Sequence, residues 1–153
     1  MSHLTTSRTA LARFALACTM AAAAAGCGIA GAEEAGAALD PVKAGIPVYP
    51  GAKPDAGASA FVRESLQLIA SAYRTGDAVA KVAAFYEKQA GVRKLPGASG
   101  EGALFSAGCK AEFNPYLKKE MHKCGYQVTL QNPWMDMKTG KLVQDTLITI
   151  VKQ

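Results

Sequence analysis

Few residues of this 153-residue chain have side chains suited to chemistry on a substrate. Beyond residue 27 the only histidine is His122, and no Gly-x-Ser-x-Gly turn accompanies it as a nucleophile. The glycines at 97, 100 and 102 precede a predicted strand, so they do not form the phosphate-binding loop that opens a helix. We therefore predict no catalytic residue, no enzyme activity and no cofactor.

The segment between Cys109 and Cys124 concentrates basic and aromatic side chains. These are Lys110, Phe113, Tyr116, Lys118, Lys119, His122 and Lys123. One interpretation is a surface loop closed by a disulfide, in which the lysines are solvated and the aromatic side chains pack against the domain. Another is a binding patch for an anionic component or a partner protein, because amphipathic aromatics beside mobile positive charge favour both.

A metal site formed by Cys109, His122 and Cys124 is a third interpretation. Only three soft ligands are present, and their spacing matches no closed zinc pattern. The cysteines also lack the Cys-x-x-Cys spacing that tunes a reactive thiolate. We predict no metal, and we expect Cys109 and Cys124 to form a disulfide. Closing a loop of about 15 residues would stabilise the fold by roughly 3 kcal/mol.

Trp134, the only tryptophan, lies in the second candidate surface, Asn132-Pro133-Trp134-Met135. The proline must end or edge a strand. Trp134 either closes the core beside a hairpin or serves as an exposed aromatic anchor for a partner. We include it with the loop residues in the predicted binding patch.

The first 27 residues divide as a secretory leader does, with a cationic start and an uncharged run over residues 14–25. The tetrapeptide at 24–27, Ala-Ala-Gly-Cys, resembles the bacterial lipobox, although Ala24 stands where leucine is usual. The resemblance implies a signal peptide over residues 1–26 and lipidation of Cys27. With Gly28 after the cysteine, it also implies the periplasmic face of the outer membrane.

Two other fates of the leader stay open. Ordinary signal peptidase could cut after Ala32 and release a soluble periplasmic or secreted protein. The uncharged run over residues 14–32 could instead remain as a membrane span, although alanine contributes little to insertion. Either signal cleavage leaves Cys109 and Cys124 in an oxidising compartment.

Net charge argues against a nucleic-acid partner. Without Arg8 and Arg13 the 17 Lys and Arg of the chain become 15, against 12 Asp and Glu, a mild excess of about three positive charges. The expected partners are the membrane, through the lipidated N-terminus, and an envelope protein or anionic envelope component at the patch.

Hydrophobic periodicity predicts the elements that position these residues. Residues 27–45, mostly Ala, Gly and Glu, predict a flexible tether, and residues 46–153 a single domain. We expect a first helix over residues 55–67, with Pro54 in its first turn. We expect a second helix over residues 78–90, with Thr75-Gly76-Asp77 as its N-terminal cap and Gly91 at its C-terminal end. Strands are expected at 69–74, 92–95, 103–107, 126–130 and 146–151, with a hairpin connection at 138–141. This order predicts an α+β fold, an antiparallel sheet of about four to five strands covered on one face by one or two helices.

Three short motifs follow one another in the predicted domain. They are Pro47-Val48-Tyr49-Pro50-Gly51-Ala52, then Tyr73-Arg74-Thr75-Gly76-Asp77, then Val82 with Phe85-Tyr86. Together they resemble a domain of bacterial envelope lipoproteins and secreted proteins that has a YPGA start, a T-x-D helix cap and a V-x-x-F-Y helix. The resemblance implies a compartment and a fold and transfers no active site. We expect a non-enzymatic binding or accessory module, with a structural envelope protein as the alternative.

Overall fold

The computed structural model describes residues 36–97 and 101–153. The predicted signal peptide, Cys27, the tether up to residue 35 and residues 98–100 of the glycine-rich turn lie outside the described residues. The predictions of signal cleavage and lipidation lie outside them as well. In the described part, no helix is both long enough and apolar enough to cross a membrane.

The described residues form two helices and ten strands, and they confirm the predicted α+β class. In chain order these are β1 (Lys53–Pro54), α1 (Ala56–Leu66), β2 (Ala70–Thr75), α2 (Val79–Glu87), β3 (Arg93–Leu95), β4 (Ala103–Ala107), β5 (Lys110–Asn114), β6 (Lys119–Lys123), β7 (Tyr126–Gln131), β8 (Trp134–Asp136), β9 (Lys141–Val143) and β10 (Thr146–Lys152). The predicted hairpin connection is the turn between β8 and β9.

Six of the strands form one antiparallel sheet in the order β1-β2-β10-β7-β4-β3. The β-branched run predicted to lie deep in the sheet is β10, which pairs with β2 and β7 and is buried over residues 146–150. The sheet has one strand more than expected because residues 53–54 add a short edge strand to β2.

The main core lies between α2 and one face of this sheet. Val82 and Tyr86, one helical turn apart on α2, are fully buried. They pack in one cluster with alternate residues of the central strands, which include Phe105, Val128 and Ile148. Burying each such side chain stabilises the fold by roughly 1.5–3 kcal/mol. Helix α2 is therefore the helix predicted to cover the sheet.

A smaller cluster lies on the opposite face. Ala72 and Leu147 alternate with the residues that face α2, so they point to the other side of the sheet. Trp134 and Ala58 of α1 pack against them. Helix α1 contributes no fully buried side chain among its described residues. Ser59 links α1 to β2: its hydroxyl oxygen accepts a hydrogen bond from the Ala72 backbone nitrogen at 2.8 Å.

The start of α1 differs from the prediction. Asp55 is its N-cap, with a side-chain oxygen 2.7 Å from the Ala58 backbone nitrogen. Pro54 precedes the helix and pairs with Tyr73 in the sheet, so it does not occupy the first turn.

Helix α2 also starts and ends differently. It has Ala78 as N-cap without a side-chain cap. The predicted cap is wrong because the Asp77 carboxylate is engaged elsewhere, with Tyr49 and Lys81. The helix ends at Glu87 and not at residue 90. Gly91 lies beyond its end, with a φ of 70°.

The last part of the predicted tether is packed on the domain. Leu39 is buried in the main core, and its backbone nitrogen donates to the Ala70 oxygen at 3.1 Å. Ala38 forms a parallel bridge with Ala70. The packed unit therefore begins upstream of Ile46, because one leucine in an otherwise small-residue segment provides enough apolar surface to dock it.

Candidate functional site

The predicted disulfide between Cys109 and Cys124 is present, and it closes the base of a two-stranded hairpin. We call residues 109–124 the β5–β6 hairpin. The pairing runs from Lys110 opposite Lys123 to Asn114 opposite Lys119. Neither strand was predicted. At about 3.3 Å per residue the hairpin reaches roughly 17 Å from its base.

Two contacts hold the base of the hairpin on the domain. The Cys109 backbone nitrogen donates to the Gly91 oxygen at 3.0 Å. Gly108 has a φ of 64°, and a Cβ atom there would lie 3.0 Å from Cδ2 of Tyr126. Only glycine adopts this conformation without strain and leaves room for the ring. The chain therefore leaves β4 in a defined direction.

The hairpin itself buries almost nothing. Between residues 110 and 123 every residue is exposed except Asn114, which is half-buried. β5 and β6 pair only with each other. An isolated two-stranded hairpin is marginal in water, so the disulfide and the turn must maintain its shape.

The turn at the apex, residues 114–118, is ordered by its own hydrogen bonds. The Asn114 side-chain oxygen accepts from the backbone nitrogens of Tyr116 and Leu117, both at 3.0 Å. Pro115 has a fixed φ, and Lys118 adopts a left-handed φ of 50°. The apex is therefore preorganised without packing against the domain.

Large apolar side chains of the β5–β6 hairpin project into solvent. The exposed fractions are 61% for Phe113, 93% for Tyr116, 56% for Leu117 and 41% for Met121. The interpretation in which Phe113 and Tyr116 pack against the domain is thus wrong, because no element among the described residues covers β5 and β6. Leu117 and Met121 join the patch as residues that sequence reasoning missed.

Basic side chains lie on the same hairpin as these apolar side chains. Lys110, Lys118, Lys119, His122 and Lys123 are all exposed. Over residues 110–123 four lysines face two glutamates, an excess of two positive charges. Lys123 lies 3.8 Å from Glu112. Within residues 36–97 and 101–153, Lys118 and Lys119 have no ion-pair partner. Apolar side chains and unneutralised positive charge therefore coincide at the apex.

Trp134 does not belong to this surface. Only 7% of it is exposed, and its Nε1 donates to Oδ1 of Asp145 at 2.8 Å. The Arg74 guanidinium lies 5.3 Å from the ring centroid. The prediction that places Trp134 in the binding patch is wrong, because the ring turns inward and packs against Ala72 and Leu147. It closes the core, as the other interpretation held.

Arg74 joins three parts of the domain in a charged cluster that the sequence did not predict. Its guanidinium lies 2.6 Å from Asp145, before β10, and 3.4 Å from Asp55, the cap of α1. The hydrogen bond to Asp145 is the main cause that raises the pKa of Arg74. Both carboxylates are occupied by Arg74, by Trp134 or by backbone, so the cluster has a structural role. Arg74 lies 19 residues from Asp55 and 71 from Asp145 along the chain, so no local pattern signals their meeting.

The three motifs behind the family resemblance also meet in the structure. The Tyr49 hydroxyl donates to Asp77 Oδ2 at 2.7 Å, and the Tyr49 ring meets Phe85 edge-on at 5.4 Å between centroids. The Thr146 hydroxyl donates to the backbone oxygen of Asp77 at 2.7 Å. The hydrogen bond from Lys81, followed by the one from Tyr49, lowers the pKa of Asp77. Tyr49 is buried in the main core and Phe85 packs against it, so the contacts between the motifs support the core.

The metal interpretation fails because its two thiolates are bonded to each other. Residues 36–97 and 101–153 contain no group of three or more His, Cys, Asp or Glu side chains that could hold a metal ion.

A second exposed apolar area lies on the β8–β9 hairpin. We call it the β8–β9 surface, and it consists of Met135, Met137 and Leu142. Met135 and Leu142 are directly opposite each other. With an exposed fraction of 57%, Leu142 matches Leu117 closely and provides a control position.

Comparison of the chain with models of known protein families, with curated proteins and with solved structures found no match. The resemblance to envelope lipoprotein domains therefore stays a prediction.

Proposed function

We propose that this chain is a bacterial cell-envelope lipoprotein whose domain is a non-enzymatic binding or accessory module, with the β5–β6 hairpin as the binding surface. The observation that carries the proposal is the apex. There a hydrogen-bonded turn exposes Tyr116 and Leu117 beside Lys118 and Lys119, which have no ion-pair partner among residues 36–97 and 101–153.

The energetics favour recognition over chance exposure. Scattered exposed apolar residues are ordinary, but here four lie on one short hairpin. Aromatic and Met side chains are enriched in the centres of interfaces, and polar residues form their rims. Because Asn114 already orders the turn, a partner would bind without the cost of ordering a loop. The lysines would attract an anionic component and speed its encounter.

Export and anchoring rest on the N-terminal sequence. The tetrapeptide at 24–27 resembles a lipobox, and the proposal places acyl chains on Cys27 at the periplasmic face of the outer membrane. The disulfide supports an oxidising compartment, since such bonds are rare in the cytosol.

Site-specific cross-linking in living cells tests the binding surface. A photoreactive residue at Leu117 of the full chain should form adducts with envelope components. The same residue at Leu142 should form few, although the two positions are equally exposed. Absence of adducts at Leu117 would overturn the proposal.

Mass spectrometry of the mature N-terminus tests the anchor separately. We expect membrane fractions to contain a chain that begins at acylated Cys27. A chain that begins at Glu33 in the soluble fraction would contradict the anchor and favour a soluble periplasmic or secreted protein. The binding surface does not depend on this outcome.

A structural envelope protein is the second candidate. The exposed Met135, Met137 and Leu142 favour it, because they offer contacts away from the hairpin. Equal cross-linking from Leu117 and Leu142 would support this role over a dedicated binding hairpin.

A further inference from the structure

The apex of the β5–β6 hairpin combines exposed apolar side chains, satisfied backbone N–H groups and positive charge. Tyr116 and Leu117 are adjacent at the tip, with exposed fractions of 93% and 56%. Tyrosine is enriched at the level of lipid headgroups, and leucine partitions into the hydrocarbon beneath them. We propose that this apex inserts into the surface of an anionic phospholipid membrane. The proposal rests on the proposed function, in which the hairpin is the binding surface.

The backbone N–H positions at the apex are already satisfied without water. Pro115 has no N–H group, and those of Tyr116 and Leu117 both donate to the Asn114 side chain. Residues 115–117 therefore present no free backbone N–H group at the tip. An irregular turn normally cannot enter a lipid environment because its unpaired backbone groups would lose their water. Here Asn114 removes that obstacle for the donors of the tip.

Positive charge follows directly behind the apolar tip. Lys118 and Lys119 lack ion-pair partners among residues 36–97 and 101–153. Their long aliphatic stems let the ammonium groups reach the headgroups while the tip is inserted. Anionic lipid attracts such lysines and zwitterionic lipid does not. The acidic residue closest to the tip along the paired strands is Glu120. It lies opposite Phe113, one residue pair further from the tip than the Asn114–Lys119 pair.

Fluorescence quenching by lipid tests insertion at the apex. The full chain carrying Leu117→Trp is mixed with vesicles of phosphatidylglycerol and phosphatidylcholine with brominated acyl chains. The matched control is Leu142→Trp in the same chain, so any contribution of the N-terminus is common to both. The native Trp134 is buried in both variants and supplies the constant background.

We expect quenching of the Leu117→Trp fluorescence and none beyond background for Leu142→Trp. In pure brominated phosphatidylcholine vesicles the quenching at position 117 should disappear. Adding Lys118→Gln and Lys119→Gln should lower the partition coefficient roughly thirtyfold, since each lysine near an anionic surface contributes a factor of about five. All these positions are exposed, so folding should be unaffected.

Equal quenching at positions 117 and 142, or none at 117, would overturn the membrane proposal. The two failures are distinguishable with the cross-linking experiment. Leu117 adducts with an envelope protein, without lipid quenching, would overturn membrane insertion and retain the binding hairpin. No quenching and no adducts at Leu117 would overturn both.

Discussion

The side-chain oxygen of Asn114 lies 3.0 Å from the backbone nitrogen of Tyr116 and accepts its hydrogen bond. It accepts a second one from Leu117. The position of two exposed apolar side chains is thus set by one amide group and not by packing. This relationship connects the sequence of the turn to the surface that we propose as functional.

Replacing Asn114 should loosen the apex and leave the domain intact. In Asn114→Ala we expect the amide hydrogens of Tyr116 and Leu117 to exchange with solvent roughly fivefold faster. The reason is that each loses a hydrogen bond worth about 1 kcal/mol. Asn114→Asp keeps an acceptor and should retain the slow exchange. A drop in the melting temperature of the whole domain in Asn114→Ala would contradict an apex that does not pack against the domain.

The disulfide should stabilise the chain against unfolding. Cys109 and Cys124 are 15 residues apart in sequence. Changing both to Ser should lower the free energy of unfolding by about 3 kcal/mol, because the unfolded chain regains the entropy that the cross-link removed. Urea unfolding measures this. Reductant should destabilise the wild type equally and leave the double variant unchanged, and an unchanged urea midpoint in both would contradict the prediction.

Gly108 should resist substitution although it lies on the surface. Gly108→Ala would place a methyl group 3.0 Å from the Tyr126 ring and force a φ of 64° on alanine. We expect a destabilisation of about 1–3 kcal/mol, the usual cost of such a backbone strain. Gly125→Ala is the matched control, since a Cβ there meets nothing within 4 Å. Equal effects of the two changes would show that the Gly108 geometry is unimportant.

Asp77 should make part of the stability pH-dependent. Its hydrogen bonds with Lys81 and Tyr49 hold its pKa below the ordinary value of 3.8. A carboxyl whose pKa is lower in the folded state stabilises the fold above its unfolded pKa, and this contribution disappears as pH falls through the folded pKa. Asp77→Asn should therefore be less stable than wild type in urea at pH 7, with the difference narrowing below pH 4. A difference that stays constant with pH would contradict the assignment.

Much of the fold was predictable because it follows local periodicity. The β-branched run of β10 and the apolar stripe of α2, with Val82 and Tyr86 on one side, both correspond to buried surfaces. Leu39 was missed because one leucine has no periodic neighbours. β5 and β6 were missed because strands are recognised by the alternation of a half-buried face, and all their side chains but Asn114 are exposed.

The candidate site was predictable in composition but not in geometry. The lysines and aromatics between Cys109 and Cys124 are visible in the sequence. Whether Phe113 is buried depends on which elements lie beside the hairpin, and only the tertiary structure determines that. The same holds for Trp134, whose two interpretations differ only in which way the ring turns. Leu117 and Met121 carried no signal, because isolated apolar residues in a loop are ordinary.

Side-chain oxidation footprinting tests the central claim most directly, since each molecule contains both the proposed surface and its control. Tyr116 and Met121 report on the hairpin, and Met135 and Met137 report on the β8–β9 surface. All four are oxidised in the free protein if they are exposed as described. On adding envelope membranes we predict that oxidation falls at Tyr116 and Met121 and is unchanged at Met135 and Met137. Protection of Met135 and Met137 with Tyr116 and Met121 still oxidised would contradict the hairpin as the binding surface.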